Sequence, residues 1–232
     1  MASIAPSILA GDFARLGESL DVVHALAVPS IHIDIMDGHF RPQISVGQPV
    51  VRSIRKATRL KLDIHLMVER PERYIKDFVS AGADSLAFHP EATQDVTLGI
   101  GLARKLGVKV GLALNPATRL EFCYEVLEDL DYVLIQTGAV GWGAETFMPR
   151  SISKVAALAK EREARGLNFE IEAEGGIEAR EAEELLPAGA DILVVGSAIF
   201  DKQDRGEAMR AMVRALRRDS SASGKEIRSR VH

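Results

Sequence analysis

The sequence predicts an α/β protein built as a single (β/α)8 TIM barrel, and three observations carry this. Short apolar runs alternate with segments of helical periodicity eight times between residues 3 and 217. Strands separated by helices in this way form right-handed βαβ units and a parallel sheet. No shift of composition divides the chain, so one barrel domain is expected over 1–218. The polar, small-residue stretch 219–232 reads as a disordered tail. The turn after the first strand is Ala5-Pro6-Ser7, without dinucleotide-binding glycines, which disfavours the rival architecture, a doubly wound open sheet.

Residues 3–5 form the first strand, closed by Pro6-Ser7. Asp12 is placed to cap a helix in which Phe13, Leu16, Leu20, Val23 and Leu26 recur at helical spacing. Strand two, 31–36, alternates Ile31, Ile33 and Ile35 with His32, Asp34 and Met36, a period of two. After a polar loop, a helix is predicted near 47–57. Strand three, 60–67, carries Asp63, His65 and Met67 on one face. A helix at 69–81 ends at Gly82, and strand four, 85–89, stops at Pro90. A helix at 93–106 ends at Gly107, strand five spans 108–114, and a helix at 118–127 leads to strand six, 132–136. The glycine-bearing loop 137–149 precedes a helix at 151–165. Strand seven, 168–173, meets Glu174-Gly175-Gly176. A helix at 179–186, strand eight at 191–195, the turn Gly196-Ser197 and a helix at 205–217 complete the pattern.

Composition narrows the function classes. With 47% apolar residues the chain can build a substantial core, and a formal charge of −4 without a basic stripe argues against a nucleic-acid or anionic membrane partner. The one cysteine, Cys123, excludes an intrachain disulfide, fits a reducing compartment, and sits in an apolar-periodic segment as a core thiol. Residues 1–10 are apolar but short, lack a basic region and contain Pro6, so no signal peptide is expected; no run reaches transmembrane length. These features predict a cytoplasmic protein.

The chemistry is concentrated at strand ends. His32 and Asp34 point the same way, about 6.5–7 Å apart along the strand. On a half-solvated antiparallel strand that polar face would be unremarkable. On a parallel strand buried on both faces it requires partners, because an unpaired buried carboxylate is costly. In a barrel, residues at the C-terminal strand ends converge on one mouth. His32, Asp34, His65 and Glu174, from strands two, three and seven, then form a candidate divalent-metal set whose nitrogen and oxygen donors suit zinc, iron, manganese or cobalt. Gly175-Gly176 and Gly196-Ser197 follow adjacent strands, where barrel loops bind phosphate through backbone amides. Gly141-Trp142-Gly143-Ala144 could add amides or act as a lid.

Several motifs together resemble the ribulose-phosphate 3-epimerase family: Ile4-Ala5-Pro6-Ser7-Ile8-Leu9, His32-Ile33-Asp34-Ile35-Met36-Asp37-Gly38-His39-Phe40, Leu62-Asp63-Ile64-His65-Leu66-Met67, Leu114-Asn115-Pro116-Ala117-Thr118 and Val195-Gly196-Ser197-Ala198-Ile199-Phe200. The resemblance implies a ribulose-phosphate-binding barrel that inverts C3 of a phosphorylated ketose with a divalent metal, and a homo-oligomer. It assigns His32, Asp34, His65 and Glu174 to the metal, and Asp34 and Glu174 to acid/base work. Ser7, Met36, Met67, Gln136 and the loop 141–144 fall to the substrate, and Gly175, Gly176, Gly196 and Ser197 to its phosphate. Epimerisation beside a carbonyl needs two acid/base groups flanking the carbon.

Three positions depart from the family pattern. Ala173-Glu174-Gly175-Gly176 stands for Val-Asp-Gly-Gly, the loop reads Ala139-Val140-Gly141-Trp142-Gly143-Ala144, and Gln136 replaces a methionine. The extra methylene of Glu174 moves its carboxylate by about 1 Å unless the backbone retreats, a shift that can cost about a hundredfold in rate. These departures, with the allulose-6-phosphate-epimerase-like His89-Pro90-Glu91, keep open a different ketose phosphate as substrate, or a non-catalytic sugar-phosphate binder. Barrel decarboxylases and synthases are disfavoured, because Asp34-Ile35-Met36-Asp37 lacks the lysine of their Asp-x-Lys-x-x-Asp arrangement.

Overall fold

In the computed structural model, which describes residues 2–26, 28–138, 146–200, 212, 214 and 216, the eight strands are β1 (Ser3–Pro6), β2 (Ser30–Met36), β3 (Lys61–Met67), β4 (Ser85–Phe88), β5 (Lys109–Leu114), β6 (Tyr132–Gln136), β7 (Glu170–Glu174) and β8 (Ile192–Val195). All pair in parallel in the order β1-β8-β7-β6-β5-β4-β3-β2. A parallel bridge between Ser7 and His32 joins the two ends of that order and closes the sheet into a barrel. The predicted fold class stands.

Alternation along the strands sorts the side chains. Ile31, Ile33, Ile35, Leu62, Ile64 and Leu66 join the large apolar core together with helix residues such as Val51, Ile54, Ile75 and Phe78. Inside the barrel, Ala87, Ala113, Tyr132 and Leu134 make a separate small cluster. Every residue from Ile31 to Met36 is buried, so β2 has no solvated face. The small residues of β4 and β5 leave the lumen open to large polar side chains from β2, β3, β6 and β7. Gly111 is the clearest case: a Cβ there would lie 2.8 Å from the Tyr132 ring, which occupies that space.

Helix boundaries differ from the sequence reading where a local rule intervenes. The 69–81 segment is broken, because Pro71 disfavours the α region at the residue before it. Arg70 sits at φ 56, Pro71–Arg73 is a 3-10 turn, and the α-helix runs only over Ile75–Ala81. Asp95, whose side chain accepts the Leu98 N–H at 2.9 Å, starts the next helix at Val96 rather than Thr93. Asp12 caps a 3-10 turn, Phe13–Arg15, before an α-helix over Leu16–His24. That tighter turn takes Phe13 off the apolar face and leaves it 46% exposed. The 118–127 helix shrinks to Glu121–Tyr124 followed by a 3-10 turn, Leu127–Asp129, with no side-chain cap at its start. Cys123 within it is fully buried, its Sγ donates to the Leu120 carbonyl at 3.0 Å, and burial pushes the thiol up to about 12. Strand one extends through Pro6, strand four ends at Phe88, and strand seven reaches Glu174, which places that carboxylate on the sheet. Of the helix expected at 205–217, residues 212, 214 and 216 are helical. The rest of it, the expected tail 219–232 and the loop residues 139–145 lie outside the described residues.

Gly111→Ala is expected to destabilise the protein by about 1–3 kcal/mol through overpacking against Tyr132, measured by denaturant unfolding; a change within error would mean that the ring has room to move.

Candidate active site

Strands β2 and β3 pair in register so that His32 lies beside Asp63, Asp34 beside His65 and Met36 beside Met67. On the far side of the barrel Glu174 ends β7 beside Gln136 of β6. His32, Asp34, His65 and Glu174 each bring one donor atom to a common point, all within 4.8 Å of one another and all buried. Ser7 Oγ donates to Asp34 Oδ2 at 2.7 Å, and the Ser45 hydroxyl, which donates to the Asp34 carbonyl at 2.7 Å, accepts the Met36 N–H at 2.9 Å. His65 Nδ1 lies 3.2 Å from Asp34 Oδ1 and 2.8 Å from Glu174 Oε2. Its Nε2 meets His89 Nε2 at 2.9 Å, and His89 Nδ1 lies 3.4 Å from Glu91 Oε2.

A divalent cation fits this cluster. His32 Nε2 is buried with no hydrogen-bond partner, 3.4 Å from Asp34 Oδ1 and 3.8 Å from Glu174 Oε2. Glu174 Oε2, also buried, makes no well-aligned hydrogen bond although His65 Nδ1 lies 2.8 Å from it. An imidazole nitrogen and a carboxylate oxygen without aligned partners, converging with donor atoms of Asp34 and His65, are what an ion would satisfy. The extra methylene of Glu174 does not carry its carboxylate out of the cluster.

The electrostatics follow from crowding charge in a dry lumen. Burial opposes a charged His32, but Asp34 and Glu174 outweigh it and hold its pKa well above the usual imidazole range. His65 is treated the same way, chiefly by Glu174 against burial, and rises to about 9. Burial likewise opposes ionisation of Asp34, yet His32 and His65 drag it well below the carboxylate range. Glu174 moves the other way, raised by burial and by the Asp34 charge. Burial, reinforced by the charges of His65 and Arg41, drops His89 to about 4, so it is neutral.

The other predicted site residues divide. Gln136 is buried at the mouth, with Nε2 3.7 Å from Met67 Sδ, and its Oε1 accepts from Arg41 at 2.5 Å. Gly175 and Gly176 take positive φ values of 118° and 63°, which suit glycine, and Gly196-Ser197 follows the neighbouring strand β8. Gly141, Trp142, Gly143 and Ala144 lie outside the described residues. Sequence reasoning gave no role to Arg41, which also donates to Asn115 and stacks on Phe40, or to a deeper polar layer. In that layer Asp63 and Glu172 face His32 Nδ1 at 2.7 and 3.2 Å, and Tyr132 donates to Asp63 at 2.9 Å. The signal was present: Asp63 and Glu172 lie two residues before His65 and Glu174, on the same strand faces.

Fold and site together define a TIM-barrel enzyme with a histidine–carboxylate cluster at the C-terminal mouth of its strands. The model of the ribulose-phosphate 3 epimerase family matches residues 3–200, and the chain belongs to that family. It is thereby an isomerase of carbohydrate phosphates. It is 40% identical to the ribulose-phosphate 3-epimerase of Bacillus subtilis (strain 168), covering 90% of this chain and 97% of that one. With the Escherichia coli (strain K12) ribulose-phosphate 3-epimerase the identity is 38%, over 87% and 90% of the two chains. Among solved structures, 3-hexulose-6-phosphate synthase from Salmonella typhimurium superposes with a TM-score of 0.73 at 18% identity, over 94% of this chain and 99% of that one, a likeness of fold alone.

Because the folded protein binds the His65 proton more tightly than the unfolded chain, that proton stabilises the fold fully below pH 6.5, and the gain is lost as pH rises through about 9. Glu172, raised to about 8 by burial and Asp63, works in the same direction. The melting temperature of metal-free protein is expected to fall between pH 6.5 and 9, and added divalent metal, which takes the place of the His65 proton, is expected to reduce the decline; scanning calorimetry checks both.

Proposed function

We propose that this chain inverts C3 of a ketose phosphate, interconverting ribulose 5-phosphate and xylulose 5-phosphate, with Asp34 and Glu174 as the two acid/base carboxylates. The observation that carries this reading is their arrangement. Two carboxylates enter one buried cluster from separate walls of the barrel, and their surroundings push them in opposite directions, Asp34 toward the ionised form and Glu174 toward the protonated one. Opposed acidities within one site are the mark of an acid/base pair. In the proposed reaction one carboxylate takes the C3 proton from one face and the other returns a proton to the opposite face, through an enediolate.

His32, Asp34, His65 and Glu174 would hold a divalent ion. Such an ion, when bound, supplies a Lewis acid that favours the charge developing on the substrate oxygens. Ser7, hydrogen-bonded to Asp34, keeps that carboxylate aimed into the lumen. Met36, Met67 and Gln136 line the substrate side, and the barrel walls exclude water. Gly175, Gly176, Gly196 and Ser197 are assigned to the phosphate, because their turns are neighbours at the ends of paired strands. Family membership supports a homo-oligomer. The single cysteine supports the cytoplasm, and among the described residues no helix is long and apolar enough to cross a membrane.

A second reading keeps the chemistry and changes the sugar to another ketose phosphate such as allulose 6-phosphate. It is favoured by the polar wall that Arg41, Asn115 and Gln136 form at the mouth.

Metal-loaded protein incubated with ribulose 5-phosphate in D2O is expected to yield xylulose 5-phosphate deuterated at C3. Deuterium exchange without inversion would remove Glu174 as the second acid/base; no exchange on any ketose phosphate, despite binding, would leave a sugar-phosphate binder. Asp34→Asn is expected to lower turnover by about 10²–10⁴-fold, while Glu174→Asp is expected to retain or raise activity on ribulose 5-phosphate. Steady-state kinetics reads both, and an inactive Glu174→Asp enzyme would favour the second sugar.

A further inference from the structure

Beneath the four-residue cluster lies a second polar layer that the reaction does not use. Asp63 and Glu172 are buried there, and both approach His32 from the side opposite Asp34 and Glu174. His32 therefore belongs to both layers: Nε2 faces up into the cluster and Nδ1 faces down.

The lower layer could itself be taken for a metal site, because His32, Asp63 and Glu172 also bring donor atoms within 4.8 Å. The hydrogen bonds decide against it. Asp63 Oδ2 accepts from His32 Nδ1 at 2.7 Å, and Oδ1 accepts from Ser85 Oγ at 2.6 Å and Tyr132 OH at 2.9 Å. An ion placed there would have to displace three donors from one buried carboxylate. Asp63 is a hydrogen-bonded bracket, and Glu172, whose Oε1 lies farther from His32 at 3.2 Å and has no hydrogen-bond partner, is the lesser neighbour.

We propose that Asp63 is the positioning residue of the metal centre: it holds the Nδ1–H tautomer of His32 and the ring orientation that turns Nε2 toward Asp34 and Glu174. The opposite tautomer would put the Nδ1 lone pair against the Asp63 carboxylate and a proton where an ion must sit. Asp63 is in turn fixed from two other strands, by Ser85 on β4 and Tyr132 on β6, and the missing side chain of Gly111 makes room for the Tyr132 ring. Five strands thus set the aim of one imidazole. Hydrogen bonding of a ligand histidine to a carboxylate fixes its orientation and raises its basicity, and losing that partner weakens metal affinity by about 10–100-fold.

This inference rests on the cluster being a metal site, and the experiment separates the two. Wild type, Asp63→Asn and Tyr132→Phe are each freed of metal and titrated with Zn²⁺ against a chromophoric chelator, alongside their metal-free melting temperatures. Wild type is expected to bind one ion, Asp63→Asn to bind about 10–100-fold more weakly, and Tyr132→Phe to fall between them, because Ser85 still holds Asp63. With ¹⁵N-labelled histidine, the zinc-loaded wild type is expected to show a downfield Nδ1–H that Asp63→Asn loses. Affinity within twofold of wild type in Asp63→Asn, with or without a lower melting temperature, overturns the proposal. If Asp63→Asn does not fold, unchanged affinity in Tyr132→Phe overturns it instead. A wild type that binds no divalent ion refutes the metal reading itself, and this proposal with it.

Discussion

The structure turns on the cost of placing charge where water cannot follow. A parallel barrel buries both faces of every strand, so each ionisable side chain pointing inward must find compensation inside the lumen. This chain puts His32, Asp34, Asp63, His65, Glu172 and Glu174 there, all of them buried. None could be tolerated alone. Together they alternate cation and anion, so that each of the two imidazoles is held charged by the carboxylates around it and the two aspartates are held ionised by the imidazoles. Glu172 and Glu174 are the exceptions, raised by burial and by the neighbouring aspartates. The stack survives because its acidic members do not all have to carry charge at once.

That constraint explains the unequal division of large and small residues around the barrel. Strands β4 and β5 contribute Ala87, Gly111 and Ala113 to the lumen, and the bulk comes from β2, β3, β6 and β7. The closure between β1 and β2 is equally tied to the site. The bridge that joins the two ends of the sheet pairs Ser7 with His32, and the hydroxyl of that serine donates to Asp34. One residue, Ser7, both closes the barrel and holds the Asp34 carboxylate.

Much of this was legible in the sequence, because both periodicities are strong. The alternation Ile31-His32-Ile33-Asp34-Ile35 marked a strand with a polar inner face, and the barrel rule that strand ends converge was enough to bring His32, Asp34, His65 and Glu174 together. What stayed hidden was depth. Period two says that Asp63 shares a face with His65 and Glu172 with Glu174, but not that Asp63 and Glu172 approach one nitrogen of His32, or that Tyr132 reaches across from β6. Those are contacts across the lumen, set by strand register and by the absence of a side chain at Gly111, and no local pattern encodes them. Local rules also overrode periodicity at Arg70-Pro71, where the ring of the proline displaced a helix start by several residues.

The two described departures from the family pattern gain meaning from the same register. Gln136 and Glu174 are directly paired on β6 and β7, so two changes 38 positions apart in the sequence are neighbours on one wall of the mouth. Arg41 reaches that wall from the loop after β2, bonding Gln136 and Asn115 while its guanidinium lies 5.2 Å from the Phe40 ring centroid. Phe40 packs on His89, and His89 holds the rear nitrogen of His65. A longer carboxylate at 174, an amide at 136 and a cation at 41 are therefore parts of one contiguous surface beside the histidine–carboxylate cluster. The opposite wall, with Asp34, Ser7 and the Asp63 bracket, keeps its own hydrogen bonds. Substitutions confined to one wall can reshape what the mouth admits while Asp34 on the other keeps its Ser7 hydrogen bond, and the two rings between the walls are braced from behind, His32 by Asp63 and His65 by His89.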